Sequence, residues 1–461
     1  MKTRWTDKVD RNNPLPEYPR PQMERSDWMS LNGVYDYAIK GANCEWAEDY
    51  DGEIVVPFAI ESMLSGVQKQ LLPSQRLWYK KTFTIPENMK GKNILLNFAA
   101  VDWQCKVYVN KSLAGTHTGG YATFTLDITS LLNDGENELV VCVYDPTEKG
   151  WQQRGKQVID THGFWYVATS GIWQSVWLEA ADACHITKLR MIPDIDEKSL
   201  KIKTFATEEN LNVKVTVFDD ETVVSENTIS MDDEIKFQDV KLWSPENPFL
   251  YDLKIELLKD GKTVDMVKSY IGMRKFSMEK DNYGIPRFFL NNEPYFQKGL
   301  LDQGYWSDGG MTPPTDEAMI YDIETMKRLG FNMMRKHIKV ELDRWYYHCD
   351  RLGMLVWQDM VSGGEYIGTF LAGVAPFFGV NVKDDKYKAF KRGEKKWRDE
   401  FKRELNEMLN QLFNHTCISV WVPFNEGWGQ FDSVQIATSV KNFDPTRLVD
   451  HASGWHDQGA G

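Results

Sequence analysis

The hydrophobic pattern divides the chain into two regimes. Up to about residue 180, short alternating or apolar runs at 77–85, 93–99, 105–109 and 138–143 are separated by Gly, Pro, Asn and Asp, the rhythm of an all-β sandwich. From about 186 to 276 the same style continues, with strands expected at 201–205, 213–218 and 252–258 and a hairpin turn at Lys259-Asp260-Gly261-Lys262, which predicts a second, smaller sandwich of immunoglobulin size. After about residue 278 strands alternate with helices. Strands are expected at 294–300, 331–337, 354–360, 418–426 and 447–453. Between them lie apolar stripes at helical spacing: Met319, Ile323 and Met326; then Leu342, Trp345, Cys349 and Leu352; then Trp397, Phe401, Leu405, Met408 and Leu412. Gly330 and Gly353 close the first two stripes, where a left-handed residue ends a helix. Repeated βα units of this length suit a (β/α)8 barrel or an open doubly wound sheet. Neither a GxGxxG nor a Walker loop favours the nucleotide-binding version. The expected domains are 1–185, 186–277 and 278–461.

Composition narrows the function classes. Across 461 residues, 42% hydrophobic and 26% charged residues describe a folded globular chain. A net charge of −13 disfavours nucleic acid or an anionic membrane surface as the main partner. Aromatic content of 13%, including 17 Trp, supplies flat apolar rings suited to stacking on sugars as well as to filling cores. The sequence contains no apolar run of membrane-spanning length, and Met1-Lys2-Thr3-Arg4-Trp5-Thr6-Asp7 lacks the apolar stretch of a signal peptide. The compartment stays open, periplasmic or secreted if a leader has been removed and cytoplasmic otherwise. Six scattered cysteines form no metal or disulfide pattern and are expected as free thiols, with Cys105 and Cys142 the one pair whose strands could bring them together.

In a barrel, reacting groups sit where strands give way to the following loops. The run 418–424 ends in Asn425-Glu426-Gly427-Trp428, placing an amide and a carboxylate beside an aromatic ring. Reduced solvation there would let Glu426 hold a proton near neutral pH, as a general acid must, and Asn425 could hydrogen-bond a sugar hydroxyl. A solvated loop carboxylate or a capping pair is the plainer alternative.

Several motifs resemble glycoside hydrolase family 2, the family of β-galactosidases, β-glucuronidases and β-mannosidases. Pro19-Arg20-Pro21, Trp28, Leu31-Asn32-Gly33, Leu77-Trp78-Tyr79, Gly119-Gly120-Tyr121 and Ser170-Gly171-Ile172-Trp173 resemble its N-terminal jelly-roll domain. Trp243-Ser244-Pro245-Glu246-Asn247-Pro248 with Leu250-Tyr251 resembles its immunoglobulin-like domain. Gly330-Phe331-Asn332, Arg335, Asp350-Arg351-Leu352-Gly353, Asn414-His415, Trp421 and Asn425-Glu426 follow the order of its TIM barrel. The Asn-Glu pair with its upstream Asn-His and Trp is the most specific of these elements.

The resemblance implies a retaining exo-β-glycosidase, β-galactosidase-like by default, with Glu426 as acid/base and a second Glu as nucleophile on a later strand. Five strand candidates over 278–461 fall short of eight, so an incomplete barrel is expected, with the nucleophile beyond residue 461 and the 461-residue chain inactive alone. Asp359 and Glu365, after the third strand, are expected to be pocket or supporting groups at best, and loop or capping residues by default. Substrate-binding candidates are Asn425, Arg335, His337, Asp302, Trp306 and Trp455, with Asp302, Arg335 and Glu426 expected to face one cavity. Arg335-Lys336-His337 is one residue tighter than the commoner family spacing. The galactosidase histidines are not reproduced around Asp302, Tyr305 and Trp306. His451 and His456 form no convincing metal site; no cofactor is called for, and Mg²⁺, used by some family members, finds no support in the sequence. The expected partner is a carbohydrate, with no nucleic acid and no membrane span, and homo-oligomerisation is left open. A carbohydrate-binding protein with an inactive barrel, and a structural fragment with neither role, are the alternatives from other classes.

Overall fold

The computed structural model describes residues 1–365, 367–368 and 370–460. The N-terminal sandwich packs a six-stranded sheet (Gly52–Val56, Gly33–Gly41, Gln75–Thr84, Glu136–Tyr144, Gln104–Val109 and Ser112–Thr118, in spatial order) against a four-stranded one (Trp28–Ser30, Val176–Ala181, Asn93–Phe98 and Phe124–Asp127). Leu77, Tyr79, Val141 and Val143 fill the space between the sheets. Trp78, Val140 and Cys142 face the other way and are covered by Ala47, Trp46 and Tyr50. The run Leu77-Trp78-Tyr79 is continuously apolar because both faces of its strand are buried. The same alternation separates the two candidate cysteines. Val143 lies opposite Cys105 and Cys142 opposite Lys106, so Cys105 points into the core while Cys142 points out, and both are free thiols.

The second sandwich places a three-stranded sheet (Ile186–Asp194, Ser199–Ala206, Asp232–Lys236) on a four-stranded one (Thr222–Ser230, Asn212–Asp219, Tyr251–Lys259, Lys262–Ile271). Asp260 and Gly261 both take positive φ, of 51° and 74°, and make the expected two-residue hairpin turn.

The C-terminal part contains five parallel strands, Gly299–Asp302, Met333–Lys336, Leu355–Asp359, Ile418–Val422 and Leu448–Val449, adjacent in sequence order. Helices α1 (Asp316–Arg328), α2 (Asp343–Leu352), α3 (Lys395–Leu412) and α4 (Ser433–Phe443) occupy the connections. Strand order without reversal is that of a barrel wall and decides against a doubly wound sheet. Each helix buries its apolar stripe on the sheet: Met319 and Ile323 from α1, Trp345 and Cys349 from α2, and Phe401, Leu405, Met408 and Leu412 from α3. The Thr315 hydroxyl accepts from the Ala318 amide to start α1, and Gly353, at φ 75°, ends α2. The first barrel strand differs from expectation. Residues Glu293–Pro294 close a small antiparallel meander with Phe276–Lys280 and Pro286–Leu290, and the parallel strand begins only at Gly299.

Asn414 and His415 join the second sandwich to the barrel. The Asn414 amide donates to Leu189 O (2.9 Å) and its Oδ1 accepts from Met191 N (2.9 Å). His415 Nδ1 lies 3.0 Å from the buried Asp350 carboxylate, which also accepts from the Tyr270 hydroxyl (2.7 Å) and the Cys417 amide (2.6 Å). Trp421 is a core residue whose indole donates to Asp444 (2.9 Å). These motif residues are structural anchors beneath the strand ends.

Candidate active site

Residues pointing to the same side of adjacent parallel strands pair in register, so the strand register states which groups can meet. Leu301, Arg335 and Trp357 line up on the inner face, whereas Asp302, Lys336 and Gln358 line up on the face covered by helices.

On the inner face, Asp359 is fully buried at the end of the third strand. Its carboxylate accepts from Arg335 Nε (2.8 Å) and a terminal nitrogen of the same guanidinium (3.1 Å), and from the Ile338 amide (3.3 Å); His337 Nδ1 lies 3.1 Å away. Arg335 spans the gap to the fourth strand and donates to Asn425 Oδ1 (2.9 Å). A forked donor held bidentately by one carboxylate is fixed in plane. Asn425 is thereby oriented with its NH2 group as the remaining donor. Glu426 follows directly, in left-handed conformation at φ 51°, a backbone state uncommon outside glycine and a frequent mark of functional turns.

Glu426 is solvent-exposed, which corrects the expectation of reduced solvation. It stands four residues past Val422, the last residue of the fourth strand, directly after the buried Phe424 and Asn425. Asp302 is a second correction. Its carboxylate turns to the helix-covered side and pairs with Lys336 Nζ (2.7 Å), because it shares the register of Lys336 and not that of Arg335. It does not face a common cavity with Arg335 and Glu426. Lys336 also reaches Glu341 (3.0 Å), which holds Lys339 at 2.5 Å. Burial alone would lower Lys336, but Asp302 and Glu341 outweigh it and hold the ammonium above its ordinary range. Lys339 is lowered by burial to about 8, with Glu341 opposing and Lys336 reinforcing the shift. Asp302, Lys336, Glu341, Tyr305 and Trp306 line a separate cavity of about 280 Å³.

Trp306 packs edge-on against Trp5, with centroids 5.9 Å apart. Trp455, in the loop after the fifth strand, packs against the exposed Phe377, 5.8 Å away, from the loop after the third. His451 pairs with Asp457 (3.1 Å), and His456 Nδ1 accepts from the Val382 amide (3.2 Å). Among the described residues no group of three or more His, Cys, Asp or Glu is placed to hold a metal ion. None of the described helices is long and apolar enough to cross a membrane.

Sequence patterning gave no hint of the loop 151–167, which leaves the N-terminal sandwich and lies across the barrel strand ends. Tyr166 stacks on Tyr305 (3.8 Å, 7° between planes), Arg154 N and Gly155 N donate to Ser362 O (3.0 and 2.9 Å), and Trp165 packs edge-on against Trp428 (5.2 Å). Gly155, at φ 62°, approaches Ile338 so closely that a Cβ there would lie 2.9 Å from the carbonyl oxygen. Only glycine meets both conditions without strain. Arg392 ties the loop down from below, donating to Trp151 O (3.1 Å), Gln153 Oε1 (2.9 Å) and Gly429 O (3.2 Å).

Two β-sandwiches followed by parallel βα units, with an Asn-Glu pair just past the fourth strand, define a multidomain architecture built on a barrel wall. Three family models, the sugar binding domain of glycosyl hydrolases family 2, the family 2 domain itself and the family's TIM barrel domain, match residues 70–181, 184–274 and 287–460. The chain belongs to glycosyl hydrolases family 2. It is 27% identical over 429 residues to a β-galactosidase of Thermoanaerobacter pseudethanolicus, covering 88% of this chain and 52% of that protein. A β-galactosidase of Streptococcus thermophilus is 26% identical over 385 residues, covering 80% of this chain and 35% of the relative. The chain thus spans about half the length, or less, of these curated relatives. The structure of a β-D-glucuronidase from Dictyoglomus thermophilum superposes with a TM-score of 0.74 at 22% identity, over 94% of this chain and 73% of that one; at that identity the likeness speaks for the fold.

Proposed function

We propose that the chain carries the acid/base half of a retaining exo-β-glycosidase site, with Glu426 as the proton donor and later the base. Protonated Glu426 gives its proton to the glycosidic oxygen while a second carboxylate attacks the anomeric carbon; deprotonated Glu426 then takes a proton from the water that releases the sugar. The observation that supports this best is the Asp359–Arg335–Asn425 chain of hydrogen bonds, which orients the amide next to Glu426. A pre-set donor for a sugar hydroxyl lets binding energy place the scissile oxygen near the acid. Because Glu426 is exposed, the bound sugar itself displaces water from the carboxyl group. His337 supports the network through Asp359, and Trp455, beside the exposed Phe377, is an outer sugar contact. Asp302 and Trp306 are assigned to the neighbouring cavity. Relatives named as β-galactosidases and as a putative β-glucuronidase support a β-hexopyranose or its uronate as the terminal sugar, galactose being the default from sequence. A purely sugar-binding role finds no support in these relatives.

The test is Glu426→Gln in the full-length protein that supplies the second carboxylate, assayed on aryl β-glycosides of graded leaving-group acidity. The amide keeps the shape without the proton, so substrates with poor leaving groups should lose the most rate, and those with very acidic phenols the least. Equal losses across the series would remove the acid assignment.

A further inference from the structure

The loop 151–167 brings two cations to the barrel mouth. Arg154 is 3% exposed, its guanidinium lies 5.9 Å from the Trp165 ring centroid and 5.3 Å from that of Trp428, and it donates to Gly364 O (3.3 Å), leaving Nε without an acceptor. Lys156 follows two residues on, past the glycine pressed against Ile338. Its ammonium stands 5.2 Å from the Phe164 ring centroid, a ring that is 66% exposed. Among the described residues neither cation has a carboxylate within 4 Å. Burial holds Arg154 down to about 10 and Lys156 below its ordinary range. Glu148 acts on Arg154 from a distance but is paired with Lys149 (2.9 Å). The carboxylate that acts on Lys156 is Glu426.

Aromatic faces soften the burial of a cation without neutralising it. Two adjacent, partly or fully desolvated cations with no paired acid are costly, the more notable in a chain of net charge −13. A neutral sugar hydroxyl would not offset that charge; an anionic group would. Phe164, Trp165 and Trp428 stand around the two cations, as sugar-stacking surfaces do. The flanking contacts pin the loop to the barrel at Tyr305, Ile338, Ser362 and Trp428, so Lys156 sits at the same mouth as Glu426.

We propose that Lys156, with the positive field of Arg154 behind it, is a specificity-determining residue that binds an anionic substituent of the sugar, a carboxylate or a sulfate. This rests on the glycosidase reading of Glu426 and makes the substrate a charged glycoside. The N-terminal sandwich, through this loop, then selects the substrate whose bond the barrel cleaves.

Two ligand pairs test it by titration calorimetry with the protein: methyl β-glucuronide against methyl β-glucoside, and galactose 6-sulfate against galactose. In the unaltered protein the charged member of one pair should bind about tenfold more tightly or better, as expected of one charge-assisted contact. The pair that shows the preference identifies the anion. Lys156→Gln should bring that affinity ratio to about one, and Lys156→Arg should retain most of it. Unchanged thermal unfolding of both variants guards against a folding defect. A preference that survives in Lys156→Gln overturns the proposal. So does a wild-type protein that binds neutral sugars without preference, which leaves the glycosidase reading standing. Binding of no sugar from either pair removes both.

Discussion

Asp359→Asn is the substitution on which the site's architecture most depends. The carboxylate accepts three donations at 2.8 to 3.3 Å, two from Arg335 and one from the Ile338 amide, with His337 Nδ1 at 3.1 Å. An asparagine keeps one acceptor oxygen and turns an NH2 group toward these donors. Breaking a buried pair by removing one partner costs about 3–5 kcal/mol. The Arg335 side chain is 18% exposed, so water recovers part of the loss and about 2–4 kcal/mol is expected. The barrel transition in urea unfolding, resolved from those of the sandwiches because a three-domain chain is not two-state, should move to lower denaturant. Arg335 released from Asp359 no longer fixes Asn425, and misplacement of about 1 Å costs on the order of 100-fold in turnover. The double variant Asp359→Asn, Arg335→Gln should be less destabilised than the sum of the two singles, since the unpaired buried cation is gone. If Asp359→Asn leaves both the barrel transition and the aryl-glycoside turnover of the full-length protein unchanged, the network does not hold the site.

Two further outcomes follow from buried groups away from the acid/base. Gly155→Ala forces a Cβ against Ile338 O in a left-handed backbone and should cost about 1–2 kcal/mol; hydrogen exchange over residues 151–167 should rise, while exchange in the second sandwich stays as it was. Glu404, in α3, is raised by burial to about 8 against an ordinary 4.5, with Glu400 adding to the shift. Between those two values the unfolded chain has released a proton that the folded chain keeps, so stability is fullest below pH 4.5 and declines as pH rises toward 8. Glu404→Gln, whose amide oxygen can still accept from Gln153 Nε2 as the native Oε1 does at 2.6 Å, should flatten that decline in thermal midpoints measured from pH 5 to 9. An unaltered slope would mean that other groups cause it.

Local periodicity is legible wherever one face of an element is buried and the other is not. The stripes through Met319, Trp345 and Phe401 locate α1, α2 and α3 because each helix has a single sheet to cover. The Asp260-Gly261 turn is readable from two residues for a similarly local reason. The first barrel strand is misplaced because 286–294 is also short, apolar and turn-flanked, and only pairing with Phe276–Lys280 shows it to belong to a meander. A shift in strand position also decides side-chain direction. Asp302 is at the strand end, as expected, yet it faces the helices, since direction alternates with every residue. The Asn425-Glu426 pair is visible in sequence through its motif, whereas its support by Arg335 and Asp359 needs three strands brought side by side. Nothing local marks Lys156, because the carboxylate that acts on it, Glu426, comes from another domain.

The strand register also explains how two dense charge networks coexist within a few residues. Arg335 and Lys336 are neighbours in sequence and point to opposite faces of one strand. Lys336, with Asp302, Glu341 and Lys339, fastens the loop after the first strand: Lys339 donates to Gly304 O (2.6 Å) and Met311 O (2.8 Å). Arg335, with Asp359, fastens Asn425. The sheet keeps these salt-bridge sets on separate sides, so neither guanidinium nor ammonium can exchange partners with the other. The outer set holds Tyr305 in place beneath Tyr166, and Tyr166 pairs in register with Gln157, the residue after Lys156. Charge on the far side of the sheet thus fixes the loop that brings Lys156 to Glu426, while charge on the near side fixes the amide beside it.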